Sequence, residues 1–220
     1  MSLQETIREW QQENAGRIPE EKRAIMQEAT EGLIESGITE QALAVGDEAP
    51  DFVLSTPQDH PVSLSALLAE GPVVLNFFRG AWCPYCNMEL KALDAIVPAV
   101  RARGAELVSI SPNLPEKSAA FLAENPFSFD VLCDPDNQVA RTYGLVFSLP
   151  ESLIAVYRDL GIDLPAFDGN DRWELPMPAT YIVGQDGRIA GGFVHADYTR
   201  RMEPADILST LASLDSTETS

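Results

Sequence analysis

Of the three cysteines in this 220-residue chain, Cys83 and Cys86 are separated by only two residues, inside the run VVLNFFRGAWCPYCNMELKAL from Val73 to Leu93. A CxxC pair serves metal ligation, a structural disulfide or reversible redox chemistry. A structural zinc ion needs four ligands, commonly from a second CxxC or a close pair of histidines. Cys133, His60 and His195 each stand alone in the sequence, so a metal would require distant residues to converge, and no metal is expected. A purely structural disulfide is disfavoured in a reducing compartment.

Redox chemistry has a direct physical basis. A thiol at a helix N-terminus faces unsatisfied N–H groups and the positive end of the helix dipole. Both favour the thiolate and bring the pKa down from about 8.5 towards ~4 to 7. Pro84 suits the first turn of a helix, where a missing N–H costs nothing. The spacing therefore puts Cys83 at a strand-to-helix turn, exposed, and Cys86 one turn inside, with the two sulfurs close enough to bond.

The elements around the pair fit that placement. Val73 to Phe78 is an almost unbroken apolar run, suited to a central strand buried on both faces. Leu90, Leu93, Ile96, Val97 and Val100 then recur at helical spacing, with Pro98 expected to kink or shorten that helix. Strand and helix alternate again: Glu106 to Ser111, Glu116 to Asn125, Phe129 to Cys133, Asn137 to Tyr143. A less regular stretch, Ser148 to Leu175, carries one helix at Leu153 to Leu160. A hairpin turning at Gln185-Asp186-Gly187 and a last helix from Pro204 to Leu214 follow, and residues 215–220 form a frayed tail. This is an α/β domain with a mixed sheet. The first 44 residues form a helical extension with apolar stripes at Leu3, Ile7 and Trp10 and at Ile25, Ala29, Leu33 and Ile34. The extension is expected to pack on the domain or across a homodimer.

The residues Asn76-Phe77-Phe78 and Trp82-Cys83-Pro84-Tyr85-Cys86 resemble the active-site turn of the thioredoxin-like superfamily. The span from Val45 to Leu214 resembles its peroxiredoxin branch, the alkyl hydroperoxide reductase and thiol-specific antioxidant type. The resemblance rests on VGDEAPDFVL, CNMEL, DVLCDPDNQVARTYGL and PATYIVGQDGRI. It implies a thioredoxin-like fold and a thiol peroxidase that reduces hydrogen peroxide or alkyl hydroperoxides. An external thiol such as thioredoxin or glutaredoxin would reduce the enzyme, and no cofactor would be needed.

Against that pattern the chain is a hybrid. Counting back from Glu89 puts Cys86 in the peroxidatic slot and Cys83 in the slot for a hydroxyl. Arg79 occupies the proline slot, where it either charges the site or is a solvated turn residue. Pro178 stands where peroxiredoxins place a late arginine, which matches the cis-proline that faces the CxxC of thioredoxins. Trp82 is expected to shield the turn. The peroxiredoxin frame makes Cys86 the peroxide-attacking thiol and Cys83 the partner that exchanges with the reductant; the thioredoxin frame reverses them. A general thiol–disulfide oxidoreductase and a noncatalytic redox sensor remain alternatives. Cys133 reads as a small core residue and His195 as a surface residue, while Tyr198, Arg200 and Arg201 could mark a functional loop.

With 34 acidic against 15 basic side chains the formal net charge is −19, which repels phosphate backbones and disfavours nucleic acid as a partner. No apolar run approaches the ~20 residues of a membrane helix. The N-terminus lacks a basic region followed by an apolar one, so a cytoplasmic location is expected.

Overall fold

The computed structural model describes residues 2–217. Before Val45 come two α-helices, α1 (Leu3–Asn14) and α2 (Glu20–Glu35), and a short 3-10 helix at Ile38–Gln41. The domain then runs β1 (Val53–Ser55), β2 (Pro61–Ser63), α3 (Leu64–Glu70), β3 (Val73–Phe77), α4 (Pro84–Arg101), β4 (Glu106–Ser111), α5 (Pro115–Glu124) and β5 (Asp130–Cys133). It continues with α6 (Gln138–Thr142), β6 (Val146–Ser148), α7 (Glu151–Asp159), α8 (Leu164–Asp168), β7 (Glu174–Pro176), β8 (Ala179–Val183), β9 (Ile189–Val194) and α9 (Pro204–Thr217).

Seven strands form one mixed sheet in the order β2-β1-β5-β4-β3-β8-β9. Strands β3, β4 and β5 are parallel; β8 runs antiparallel to β3, and β1 antiparallel to β5. All five residues of β3 are buried, as its unbroken apolar pattern requires. Alternate side chains serve opposite faces: Val73, Leu75 and Phe77 join one core with Leu64 and Tyr143, while Val74 joins the other with Leu90, Leu93 and Val97 of α4 and Ile207 and Leu211 of α9. The β8–β9 hairpin turns at Gly187, whose φ of 78° is left-handed. These features establish the thioredoxin-like α/β fold.

Three expectations are corrected. Helix α4 is not cut short at Pro98 but reaches Arg101. Proline there removes one hydrogen bond near the helix end, whereas Val97 and Val100 on either side are buried and hold the last turn down. The stretch Ser148 to Leu175 is more ordered than its pattern suggests. It holds α7 and α8 and is bracketed by β6 and β7, which pair in a separate two-stranded sheet, around a third core of Leu149, Leu153, Tyr157, Leu164, Trp173 and Leu175. Helix α9 continues to Thr217, so the first residues of the expected tail are helical; residues 218–220 lie outside the described residues.

The extension packs on its own domain. Helix α1 lies against α4 and buries Leu3 and Ile7, while α2 lies against α7. Ser2 caps α1 in a reciprocal capping box with Glu5. Glu203 then fastens the same helix end to the domain, its carboxylate accepting the Leu3 and Gln4 N–H groups at 2.9 Å each. An acidic group at a helix N-terminus satisfies orphan donors and complements the dipole.

Candidate active site

The loop between β3 and α4 brings the cysteines to the helix start. Gly80 has φ 137°, and a Cβ there would lie 2.7 Å from Trp82 Nε1 and 2.8 Å from Asn113 Nδ2. Glycine is therefore required for the close approach. Asn113 anchors the turn: its Oδ1 accepts the Ala81 N–H at 2.9 Å, and its Nδ2 donates to Asp168 Oδ1 at 2.7 Å. Burial pushes the Asp168 carboxyl up to about 7, against the opposing hydrogen bond from Asn113.

Cys83 is the N-cap of α4, and its sulfur accepts the Cys86 N–H at 3.4 Å. Both thiols are free, with the Cys86 S–H donating to Cys83 Sγ across 2.8 Å. The expected exposure of Cys83 is corrected: only 1% of it is accessible, because Trp82, Tyr85 and the helical extension close over the turn. It nevertheless lines a cavity of about 680 Å³ between the domain and the extension.

The two sulfurs differ electrostatically. Burial raises the Cys83 pKa, but the hydrogen bond from Cys86 and the charges of Arg79 and Arg201 outweigh it and hold the thiol at about 6. Burial raises Cys86 as well, and there the neighbouring Cys83 adds to the effect, so Cys86 stays protonated well above the ordinary thiol range. One thiolate is thus held by one thiol, with the negative charge on Cys83.

Arg79 is a buried part of this site, not a solvated turn residue. It is 3% exposed, its guanidinium lies 4.3 Å from the Tyr198 ring centre, 5.0 Å from Trp82 and 5.9 Å from Tyr157, and it donates to the Tyr157 hydroxyl. Arg201, considered in the sequence only as a loop residue, is the second cation. Its Nε donates to Glu89 Oε2 at 2.7 Å and its Nη2 to Cys86 Sγ at 3.5 Å. Burial lifts Glu89 to about 7, against the pull of Arg201. Arg201 therefore supplies the late-chain positive charge that the sequence comparison sought at Pro178.

Pro178 does not carry the expected cis bond; no cis peptide bond occurs among the described residues. The Met177 N–H just before it donates to Leu145 O at 2.8 Å. Pro178 itself is buried, one residue beyond the Phe77–Ala179 pair of the sheet.

Tyr157 and Trp10 were not singled out from the sequence as site residues. Trp10 covers Tyr85 edge-on at 5.2 Å, and Tyr157 packs on Trp82 at 5.6 Å. Neither carries a local motif; both arrive from helices whose only sequence signal is amphipathic spacing. Arg200 is exposed, and His195, half-buried beyond β9, accepts the Asp197 N–H through Nδ1. Cys133 sits on β5, two strands from β3, with its thiol 3.7 Å from Ser118 Oγ. Among the described residues no three His, Cys, Asp or Glu side chains converge to hold a metal ion, and no helix is long and apolar enough to cross a membrane.

The AhpC/TSA family model matches residues 45–191, two-thirds of the chain, and so covers the CxxC turn and the sheet as far as the first half of β9. The chain belongs to the AhpC/TSA family. Thiol-disulfide oxidoreductase ResA of Geobacillus kaustophilus is 33% identical over 167 residues, spanning 74% of this chain and 78% of that protein. Among solved structures, peroxidoxin BcpB of Mycobacterium tuberculosis superposes with a TM-score of 0.61 at 23% identity, covering 78% of this chain and 98% of BcpB. The reduced 2-Cys peroxiredoxin of Plasmodium vivax gives 0.62 at 18% identity, covering 80% and 84%. At these identities the two structures show the shared fold. Membership of the AhpC/TSA family and the ResA relationship make this protein a thiol-based oxidoreductase. The two helices that roof Cys83 precede the matched segment.

Proposed function

We propose that the protein is a cytoplasmic thiol-dependent peroxidase in which Cys83 attacks and Cys86 resolves. The observation that carries this reading is the Cys83 sulfur, buried at the N-cap of α4 on the wall of a cavity sized for a small molecule. A hydroperoxide can enter such a space, whereas a disulfide on a folded protein would have to displace the extension. In the first step the Cys83 thiolate attacks the terminal peroxide oxygen. The O–O bond breaks, the electron pair leaves on the alkoxide or hydroxide, and that group takes up a proton. The Cys86 sulfur then attacks the Cys83 sulfenic acid, releasing water and forming the Cys83–Cys86 disulfide. Arg79 and Arg201 favour the first step by keeping Cys83 ionised at neutral pH.

This order reverses the one drawn from the Glu89 spacing. Glu89 is engaged with Arg201, and the spacing fixes its place on α4 without fixing which sulfur is ionised. Stopped-flow mixing of the reduced protein with hydrogen peroxide tests the activity. Rapid loss of thiolate, followed by turnover when a thiol is present, is the expected outcome, and no reaction with peroxide contradicts it.

A second reading, thiol–disulfide exchange on other proteins, is favoured by the ionisation order of the pair and by the ResA relationship. It requires α1 and α2 to move aside. Reduction of a protein disulfide without peroxide turnover would establish it.

A further inference from the structure

We propose that the cavity over Cys83 is the docking site for the reductant, and that this reductant is a low-molecular-weight thiol bearing a carboxylate, not a protein thiol. The inference rests on the reading of Cys83 and Cys86 as a redox pair.

Of the two sulfurs, only Cys83 faces the cavity, so in the oxidised protein a reducing thiol must reach the disulfide there. The far wall is made by α1, α2 and the turn between them, and α1 is fastened by Glu203 and by the Trp10–Tyr85 contact. A folded reductant must present its sulfur within bonding distance of Cys83 Sγ, and this wall occupies the surface on which it would seat. A volume of about 680 Å³ lies within the range of small-ligand sites and accommodates a cysteinyl peptide of a few residues.

The charges select the chemistry of that thiol. Although acidic side chains outnumber basic ones more than twofold in the whole chain, three arginines line this cavity: Arg17 and Arg23 from the extension and Arg79 beside the sulfur. Neither Arg17 nor Arg23 has an ion-pair partner within 4.0 Å among the described residues. The lining also holds two carboxylates, Glu31, which accepts from Gln27, and Asp197, which accepts from the Thr199 N–H and hydroxyl, so the three arginines leave it with an excess of positive charge. Deeper in, the buried Arg79 guanidinium adds its charge beside Cys83. A carboxylate-bearing ligand complements this positive lining.

The exchange balances. The incoming thiolate attacks Cys83 Sγ and breaks the Cys83–Cys86 bond. The electron pair leaves on Cys86, beside Arg201, and Cys86 takes up a proton. A second molecule of the thiol attacks the external sulfur of the mixed disulfide, expelling the Cys83 thiolate. Overall, two thiols become one disulfide and the protein pair is reduced.

The full-length protein, oxidised to the Cys83–Cys86 disulfide with diamide so that peroxide reactivity plays no part, tests this. Reduction is timed with 3-mercaptopropionate, 2-mercaptoethanol and cysteamine at equal thiolate concentration. On net charge alone the anionic thiol should be slowest; the cavity instead makes it fastest, by roughly tenfold over the neutral thiol, a scale typical of local electrostatic focusing. The double variant Arg17→Gln/Arg23→Gln should lose that ratio, and Arg17→Lys/Arg23→Lys should restore it. Glutathione should likewise outpace thioredoxin at matched thiolate. An anionic thiol no faster than 2-mercaptoethanol, or thioredoxin faster than glutathione, overturns the proposal while leaving the peroxidase reading standing. Failure of diamide to form the Cys83–Cys86 bond removes the redox pair itself.

Discussion

Arg201 and Glu89 form a buried ion pair, Nε to Oε2 at 2.7 Å, from which the same guanidinium reaches Cys86 Sγ at 3.5 Å. Removing one member strands the other. Arg201→Met should lower stability by about 3 to 5 kcal/mol, the usual cost of leaving a buried charge unpaired. It should also raise the Cys83 pKa by roughly one unit. Adding Glu89→Gln should recover part of the stability but not the thiolate, as denaturant melts and the pH profile of iodoacetamide alkylation would show.

Arg79 acts on the other side of the sulfur. Arg79→Met removes the guanidinium held among Trp82, Tyr157 and Tyr198, and should raise the Cys83 pKa from about 6 by roughly a unit. Thiolate absorbance at neutral pH should fall accordingly. An unchanged alkylation profile would show that Arg79 does not charge the site.

Glu203 ties the extension down through two backbone N–H groups. Glu203→Ala should cost about 1 kcal/mol, the typical value of a helix cap. More tellingly, alkylation of Cys83 should accelerate as α1 loosens. Lower stability with no change in alkylation would mean that the extension does not restrict access.

Asp168 supplies a pH dependence whose sign is fixed. Its folded pKa, about 7, lies above the ordinary value of 3.8 because burial disfavours the charge. Between those values the folded state holds a proton that the unfolded state has released, so stability falls as pH rises from about 4 to 7 and then levels. Asp168→Asn keeps an acceptor for Asn113 without the charge. Its stability relative to wild type, read from denaturant melts, should rise between pH 5 and pH 8 by at most a few kcal/mol, at ~1.4 kcal/mol per pKa unit. Parallel curves for the two proteins would contradict this.

The fold was readable in the sequence where a single local pattern decides the outcome. The apolar run of β3 matches burial on both faces, and Cys83-Pro84 before a helical stripe puts Cys83 at the N-cap. What was not readable depends on long-range packing. Arg201 lies more than 110 residues from Cys86, with no motif to mark it, and meets Glu89 only because α4 and the segment before α9 share a core. The burial of Cys83 follows from the extension, whose stripes show that it packs without showing on what. The small β6–β7 sheet is held by a core assembled from α7, α8 and Trp173, which no window of a few residues displays.

The order of the two cysteines is the centre of this account, and trapping of the sulfenic acid reads it directly. Single variants Cys86→Ser and Cys83→Ser are each treated with one equivalent of hydrogen peroxide in the presence of dimedone, and the adduct is located by peptide mass spectrometry. Cys86→Ser should react quickly and carry the adduct on Cys83, whereas Cys83→Ser should react slowly and carry little. An adduct on Cys86 in Cys83→Ser, with Cys86→Ser inert, would contradict the assignment and restore the order expected from the Glu89 spacing.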